Sequence, residues 1–363
     1  MDYRKIPYEK LKRFCEAVFC AYGFDEAESR NITDILLSAD LAGIESHGVQ
    51  RLMRYHREIR EFNYVNMKAV PETVKETPVS ATIDGHDYMG QILAYDAMTL
   101  AIKKAKETGI GMVTVRNGNH AGIMQYYTNM AVREGLMGIA MVNTESIMVP
   151  TFGSEGMLGT NPIAFAMPAS PTPFSFDAAT TVVPRGKLEV YVKREKPVPE
   201  GWVLDENGKD TSDAALVLKN IIDKTGGGIL PIGGSGEDTS GYKGFGFAMI
   251  CEIMTAVLSC GFTSNMVNRV DGRCASCQFM MAIDHGIFGD RKEIEAHLST
   301  LLQQIRDSKK AEGQSRIYIA GEKEYEARER IRTEGINVNE KTYAEMKLIA
   351  EATKTLDLLP AFS

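Results

Sequence analysis

Residues 109–142, GIGMVTVRNGNHAGIMQYYTNMAVREGLMGIAMV, decide the fold class. The apolar run at 111–115 predicts a strand, and apolar residues at helical spacing over 121–134 predict a helix that ends at Gly135. A second strand is predicted at 137–142. A strand, a helix and another strand in close succession favour an α/β layer architecture.

The same alternation continues outward from this stretch. A helix is predicted over 91–108, ending at Gly109. Further strands are predicted at 80–83, 162–167, 174–176 and 278–283. Residues 197–241 are rich in glycine, aspartate, asparagine and proline, and predict a long excursion with a turn at Asn207-Gly208.

Both ends of the chain have helical periodicity instead. It covers most of the first 60 residues and returns near the other end, at 291–309, 322–333 and 340–355. We therefore predict a helical domain formed by both chain ends, residues 1–75 completed by 287–363, and an α/β domain at 76–286.

The composition excludes several classes of protein. The chain has 363 residues, of which 44% are hydrophobic and 25% are charged, as expected for a globular chain of about two domains. With a formal net charge of −7, the chain lacks the excess of positive charge that is typical of proteins that bind nucleic acids or anionic membranes. We therefore expect neither a nucleic-acid nor a membrane partner.

Cysteine usage and the first residues indicate a cytoplasmic protein. Six cysteines are too few for a disulfide framework, and the start, MDYRKIPYEKLKRF, lacks the apolar core of a signal peptide. The longest apolar run, 244–262, has Glu252 near its centre, which predicts a buried helix rather than a membrane span. Cys274 and Cys277 form a C-x-x-C pair, which is typical either of ordinary thiols or of half a metal or redox site.

Common nucleotide-binding and hydrolase motifs are missing from the sequence. There is no G-x-G-x-x-G, so the usual Rossmann phosphate loop is not predicted, and no G-x-x-x-x-G-K-[ST]. The metalloprotease H-E-x-x-H and the serine-hydrolase G-x-S-x-G are also absent. Any chemistry must therefore come from less common arrangements.

The first such arrangement is the polar cluster near residue 50. If Ser46 caps a helix, then His47, Arg51 and Tyr55 follow at intervals of four residues along one stripe. Backbone N–H groups at a helix start, an arginine and an imidazole suit a small carboxylate and a proton transfer. A solvated helix face with an incidental histidine is the alternative.

The second arrangement is His120, which lies in the glycine- and asparagine-rich turn directly after the strand at 111–115. In α/β sheets ligands gather beyond the carboxyl ends of strands, and an imidazole there can serve as a general acid or base. A turn histidine that makes only local hydrogen bonds is the alternative.

Two further features are less specific. Asp177 ends an apolar strand, where a carboxylate either orients a histidine or caps a helix or turn. The glycines before 244–262, together with Lys243, would allow backbone N–H groups to approach a phosphate group. A flexible surface loop explains these glycines almost as well.

These residues together resemble the second type of malate/L-lactate dehydrogenases, a family that also includes ureidoglycolate, sulfolactate and diketogulonate enzymes and a cyclic-imine reductase. The resemblance extends over nearly the whole chain through motifs in the same order. Besides the segment around His120, these motifs are ADLAGIESHGVQRL at 39–52, FGSEGMLGTNPIAFAMP at 152–168, FDAATT at 176–181, VPEGWVLDENGKDTSD at 198–213, GGGILPIGG at 226–234, YKGFGFA at 242–248 and AGE at 320–322.

The resemblance implies a homodimeric oxidoreductase whose nicotinamide cofactor, NAD(H) or NADP(H), binds to a non-Rossmann α/β domain. It also implies three groups of functional residues and no metal. The catalytic candidates are His120, His47 and Asp177. The substrate-binding candidates are Ser46, Arg51, Tyr55, Thr160 and Asn161. The cofactor-binding candidates are Asn143, Thr144, Asp177, Ala178, Ala179, Thr180, Lys243, Gly244, Gly321 and Glu322.

The predicted reaction is reversible hydride transfer between NAD(P) and a small 2-hydroxy or 2-keto acid, with malate and oxaloacetate as the preferred pair. Lactate, sulfolactate and ureidoglycolate also present a carboxylate beside a carbinol, and reduction of a cyclic imino acid needs the same carboxylate grip. A catalytically silent metabolite-binding protein, or a zinc-binding protein built on Cys274 and Cys277, is the alternative from another class.

Overall fold

The computed structural model describes residues 3–268 and 273–362 of the chain. Its helices are α1 (Tyr8–Tyr22), α2 (Glu26–Leu41), α3 (Leu52–Arg60), α4 (Gly90–Thr108), α5 (Gln125–Arg133), α6 (Arg185–Lys193), α7 (Ala214–Asp223), α8 (Gly241–Glu252), α9 (Arg291–Asp307), α10 (Glu322–Glu334) and α11 (Glu340–Thr353). Its strands are β1 (Tyr3–Ile6), β2 (Glu72–Glu76), β3 (Ser80–Asp84), β4 (Ile110–Gly118), β5 (Met137–Val142), β6 (Ile163–Met167), β7 (Phe174–Ala178), β8 (Val203–Leu204), β9 (Gly228–Ile229), β10 (Ser276–Ile283) and β11 (Ile336–Asn339).

A seven-stranded mixed sheet is the centre of the α/β part, which confirms the predicted fold class. Its strand order is β2-β3-β4-β10-β5-β6-β7. β3 and β4 are parallel, whereas β10 lies antiparallel between β4 and β5. Because β6 is antiparallel to both β5 and β7, the strands β3, β4, β5 and β7 all end at the same edge.

Helices cover both faces of this sheet. Met280 and Ala282 of β10 pack into a core with residues of α4 and α5. Phe279 and Met281 of the same strand point to the other face and pack with Cys251 of α8. The alternation follows from the two-residue period of a strand, which sends successive side chains to opposite faces.

The two ends of the chain meet in a separate apolar core. β1 pairs antiparallel with β11, with Tyr3 opposite Asn339. Side chains of α1, α2 and α3 share this core with side chains of α11, such as Phe14, Leu36, Leu52 and Met346. The division into residues 1–75 with 287–363 and residues 76–286 stays a prediction.

Two expectations about the second half of the chain were wrong. Residues 197–241 contain β8, α7 and β9 as well as the predicted turn, in which Gly208 N donates to Asp205 O. The apolar run at 244–262 is not buried all round, because one side of it remains exposed. No helix among residues 3–268 and 273–362 is long and apolar enough to span a membrane.

Candidate active site

One edge of the sheet collects most of the predicted site residues. β4, β5 and β7 end at this edge, and the antiparallel strands β6 and β10 begin there. His120 follows β4, Asn143 follows β5, and Asp177 is the penultimate residue of β7. The topology therefore brings together polar side chains that are far apart in the sequence.

Backbone contacts fix the loop that carries His120. The neighbouring Asn119 donates through Nδ2 to the Asp87 carbonyl at 2.9 Å, and its own carbonyl accepts from Ser276 Oγ at 3.1 Å. Gly90, the first residue of α4, lies so close that a Cβ there would be 2.1 Å from Asn119 O. These contacts hold the backbone of His120 in place.

The segment before α3 differs from the prediction. Ser46 does not cap a helix, because two single 3₁₀ turns, Glu45–His47 and Val49–Arg51, precede α3, which begins at Leu52. The predicted helix start at Ser46, and with it an anion site made of helix N–H groups there, was therefore wrong. Arg51 and the imidazoles of His47 and His120 remain as the candidate groups for binding an anion.

The physical reason is a buried carboxyl under the turn. Asp40 accepts a hydrogen bond from Val49 N at 2.7 Å. A Cβ on Gly48 would lie 2.0 Å from Asp40 Oδ1, so only glycine lets the chain fold this tightly over the carboxyl. This close approach bends the chain between His47 and Val49 and delays the start of the helix.

Two imidazoles form the centre of the site. The rings of His47 and His120 are stacked with their centroids 5.7 Å apart. Tyr55 Oη lies 2.7 Å from His120 Nδ1, and Ser46 Oγ lies 3.0 Å from His47 Nδ1. Each Nδ1 is thus engaged by a hydroxyl, while within residues 3–268 and 273–362 neither Nε2 has a partner.

Arg51 lies next to this pair with most of its guanidinium unengaged. Its Nε donates to Ser46 O at 2.6 Å, and its two terminal nitrogens have no partner in the described part of the chain. Two parallel N–H groups of an arginine match the two oxygens of a carboxylate. The side chain is therefore positioned to hold an organic acid beside the imidazoles.

Burial and positive charge keep both imidazoles neutral. Burial lowers the pKa of His47 to about 4, with further lowering by Arg51 and Arg54. The pKa of His120 is held well below its usual value by burial and by Arg54, His47 and Arg51. Burial raises the pKa of Tyr55, so its phenol stays protonated and can share either a donated or an accepted hydrogen bond with His120 Nδ1.

Asp177 binds the start of α5 rather than an imidazole. Its Oδ2 accepts from Gln125 N at 2.8 Å, and burial raises its pKa to about 6. Neither His47 nor His120 hydrogen-bonds to it in the described structure. Of the two roles considered for this carboxylate, the observed contacts are those of a helix cap.

A cavity of about 390 Å³ opens beside Asp177. Its lining includes Ile44, Gln125, Ser175, Asp177 and Gly321. Ile44 immediately precedes the turn Glu45–His47, so one wall of the cavity is next in sequence to the segment that carries His47. Gln125 Oε1 is buried and has no hydrogen-bond partner among the described residues.

The Gly321-Glu322 pair is divided between this cavity and a salt bridge. Gly321 lines the cavity, and a Cβ there would lie 2.9 Å from Ser175 O. The buried Glu322 carboxylate accepts from Arg306 Nε at 2.6 Å and from Arg316 at 3.1 Å. Its side chain therefore stabilises the start of α10 and is not directed to a ligand.

Asn143 and Asn161 are buried in an internal hydrogen-bond network and do not face the cleft. Asn143 Nδ2 donates to Glu252 at 3.2 Å, and Asn161 Nδ2 donates to the same carboxylate at 2.7 Å. Ser264 N and Oγ each donate to Glu252 at 2.6 Å. The charge at the centre of the apolar run is thus satisfied by this network.

The threonines and alanines at the same edge surround that network. Asn161 Oδ1 accepts from Thr144 N, and Thr144 Oγ1 lies 3.2 Å from Thr160 Oγ1. Thr180 Oγ1 donates to Thr160 O at 3.0 Å, and Ala178 and Ala179 connect it to Asp177. These hydroxyls are thus linked to one another and to the Asn161 network at this edge of the sheet.

The first turn of α8 carries the remaining predicted cofactor residues. Lys243 is exposed, with its Nζ 5.7 Å from the centre of the Tyr242 ring. Gly244 is buried, and a Cβ there would lie 2.3 Å from Ile232 O. Lys243 and Gly244 do not contact the His47–His120 pair.

Cys274 and Cys277 are both buried free thiols. Cys277 Sγ contacts the Phe262 carbonyl at 3.6 Å, and burial raises the pKa of both thiols. No group of three or more metal-ligating side chains is found within residues 3–268 and 273–362.

Sequence reasoning missed two residues of the imidazole cluster. Arg54 is not among the residues that the sequence singled out, yet its charge is among those acting on His120. Its spacing of four residues from Glu58, to which it donates at 2.6 Å, was the available signal. Asp40 had no signal of its own, since its contact with Gly48 depends on the tertiary bend.

Comparison with known proteins identifies the family. The family model described as malate/L-lactate dehydrogenase matches residues 6–347. The chain belongs to this family. The resemblance inferred from the motifs is thereby confirmed, and the protein is an oxidoreductase of the 2-hydroxy acid dehydrogenase type.

Several relatives in the malate/L-lactate dehydrogenase family match over nearly the full length. A malate dehydrogenase of Pyrococcus horikoshii is 40% identical, with 96% of each chain covered. An L-sulfolactate dehydrogenase of Methanocaldococcus jannaschii is 35% identical over 94% of this chain and 95% of its own. The crystal structure of a malate dehydrogenase from Entamoeba histolytica superposes with a TM-score of 0.93 at 34% identity, covering 97% of this chain and 99% of that one.

Proposed function

We propose that the protein catalyses reversible hydride transfer between a nicotinamide cofactor, NAD(H) or NADP(H), and the malate/oxaloacetate pair. The stacked His47 and His120 rings, each with a free Nε2 beside Arg51, carry the proposal. Family membership and the 40% identity to a malate dehydrogenase support the substrate.

Arg51 holds the carboxylate that lies next to the reacting carbon. Its two free terminal nitrogens form a bidentate pair with the carboxylate, which fixes the adjacent keto carbon in one orientation. Ser46 engages His47 Nδ1 and, through its carbonyl, Arg51 Nε, so it aligns the two side chains with each other. Tyr55 does the same for His120.

His120 exchanges the proton with the substrate oxygen. Nδ1 is engaged with Tyr55 Oη, so the imidazole uses Nε2 for the substrate. In oxidation the neutral ring, with its proton on Nδ1, takes the hydroxyl proton at Nε2, and in reduction the protonated ring gives that proton to the keto oxygen. A bound carboxylate offsets the charge of Arg51, which favours the protonated imidazole. Substrate binding therefore promotes proton uptake by His120 at neutral pH.

The cavity beside Asp177 suits part of a nicotinamide cofactor. A volume of about 390 Å³, the close approach of Gly321 to Ser175 and the polar lining residues Gln125 and Asp177 fit an amide- and hydroxyl-bearing group. When bound in its reduced form, the cofactor supplies the hydride. Asp177 and Gly321 would hold it, with Ala178–Thr180 and Thr144 at the same sheet edge, and Lys243 would meet its phosphate charge.

In this proposal the remaining predicted residues hold neighbouring parts of the chain in place. Asn143 and Asn161 use their side chains on Glu252 and so fix the neighbouring Thr144 and Thr160. Glu322 fixes the turn at Gly321 in the same way, since it is paired with Arg306. These residues set the shape of the cleft without contacting the substrate.

The direct test is the loss of absorbance of reduced nicotinamide when the purified protein is mixed with a panel of acids. Oxaloacetate, pyruvate, 3-sulfopyruvate and a cyclic imino acid are each assayed with NADH and with NADPH. We expect the highest kcat/KM with oxaloacetate and one of the two cofactors. If only the cyclic imino acid supports oxidation of the reduced cofactor, imine reduction replaces this proposal. If none of the acids supports this oxidation, the proposal is refuted.

A further inference from the structure

Arg54 lies close to Arg51, three positions further along the chain. Residues three apart on a helix share one side of it. Arg54 Nε donates to Glu58 Oε1 at 2.6 Å, and Glu58 is buried beneath the surface of α3. The Arg54 side chain is 35% exposed, so part of it is accessible to solvent and to a ligand.

Arg54 directly precedes Tyr55, whose hydroxyl lies 2.7 Å from His120 Nδ1, and the charge of Arg54 acts on both imidazoles. After burial, its charge is the largest cause that lowers the pKa of His120, ahead of His47 and Arg51. It also contributes to the lowered pKa of His47. Arg54 is therefore hydrogen-bonded to the buried Glu58 while its charge acts on both imidazoles.

The cleft therefore contains two cationic groups with free donors. Glu58 engages only Nε of Arg54, and its terminal nitrogens, like those of Arg51, have no partner among the described residues. One carboxylate satisfies one guanidinium. A second anionic group on the same ligand would engage the other guanidinium through charge-assisted hydrogen bonds.

We propose that Arg54 binds a second anionic group of the substrate, a carboxylate or sulfonate joined through one methylene to the keto carbon. Arg54 thereby selects dianionic 2-keto acids over those with one carboxylate. This inference rests on the proposed function and makes it narrower. Arg51 serves every 2-keto acid, whereas Arg54 serves only those with two charges.

Arg54→Gln tests the inference through substrate preference. The wild-type protein is expected to prefer oxaloacetate and 3-sulfopyruvate over pyruvate and 2-oxobutanoate. The substitution should lower kcat/KM for the two dianions by roughly 10–100-fold, the cost of a lost charged hydrogen bond, and change the monoanions by less than about threefold. Comparing oxaloacetate with 3-sulfopyruvate tells which second anion the site prefers.

Two further variants separate specificity from structure. Arg57→Gln is the matched control, because Arg57 is exposed and its carboxylate partner Glu61 is 3.9 Å away; we expect no change in preference. Arg54→Gln/Glu58→Gln removes the buried carboxylate that the single change leaves unpaired, and should show the same altered preference. An equal loss for all four acids would overturn the inference, as would a wild-type protein without preference for dianions.

A binding measurement keeps the inference separate from the proposed reaction. Malonate, a dianion, should raise the melting temperature of the wild-type protein more than acetate does, and Arg54→Gln should remove this excess. If no acid supports cofactor oxidation, the proposed function fails while the malonate result still decides the role of Arg54. Equal stabilisation by malonate and acetate would contradict the second anion site.

Discussion

The residue that determines the chemistry in this account is a neutral, buried histidine. An exposed histidine titrates near neutral pH, whereas burial and neighbouring arginines hold the pKa of His120 well below that range. The unprotonated form is ready to accept a proton from malate. The protonated form that reduction requires appears only when an anion offsets the charges of Arg51 and Arg54.

Because malate oxidation needs the neutral His120 and oxaloacetate reduction needs the protonated one, the two reactions should depend differently on pH. Since kcat/KM reports the free enzyme, kcat/KM for malate oxidation should stay flat between about pH 5.5 and pH 8. In the same range, kcat/KM for oxaloacetate reduction should fall as the pH rises, because the protonated imidazole becomes rarer. Initial rates in overlapping buffers measure both, and an acid limb for malate oxidation near pH 6.5 would contradict a lowered histidine pKa.

Many individual residues of the candidate active site could be predicted from the sequence. His47, Arg51, Tyr55 and His120 were singled out by spacing and by their place after a strand, and the structure brings these four together. The part that spacing could not reveal is which side chains are already satisfied. Asn143 looked like a ligand contact because it follows a strand, but the buried Glu252 uses its amide.

At the scale of elements, the sequence predicts the regular parts better than the bends. Gly109, with a φ of 89°, ends α4 where a left-handed residue is required, as predicted. The start of α3 was misplaced because Ser46 is a good helix cap by residue type. The contact between Asp40 and Gly48 outweighs that preference, and it is tertiary.

The Asp40 carboxyl should make stability depend on pH. Burial raises its pKa to about 8, whereas an aspartate in the unfolded chain has a pKa of about 3.9. Between these values the folded protein holds one more proton than the unfolded chain, so this group lowers the free energy of unfolding as pH rises. Asp40→Asn should make the decrease between about pH 5 and pH 7.5 smaller.

Urea unfolding of wild type and Asp40→Asn at both pH values measures this difference. Asparagine retains an oxygen that accepts from Val49 N, so the turn that carries His47 should survive. A decrease in the variant as large as that of the wild type would show that Asp40 does not titrate in this range.

At the scale of the whole molecule, the apolar run at 244–262 presents an exposed stripe. Its exposed side chains include Phe247, Ile250, Ile253 and Val257, at helical spacing along α8 and the π turn that continues it. Contiguous apolar surface of this kind marks interaction sites. We propose that this stripe, hereafter the α8 stripe, meets its counterpart in a homodimer.

Charge placed in the α8 stripe should dissociate that dimer. Ile250→Glu introduces a carboxylate at a side chain that is 48% exposed, and light scattering should show a monomer where the wild type is a dimer. Leu348→Glu on α11, at a side chain 60% exposed, is the matched control and should remain dimeric. A dimer with Ile250→Glu, or a monomeric wild type, would contradict this interface.

A substitution of His120 tests most directly whether the imidazole pair and Arg51 perform a proton-coupled hydride transfer. Reduced-nicotinamide oxidation with oxaloacetate should fall roughly 10²–10⁴-fold in His120→Ala, the range for a lost general acid. It should be unchanged in His297→Ala, whose imidazole is exposed on α9. Wild-type turnover in His120→Ala, with the protein folded and the cofactor bound, would contradict the account.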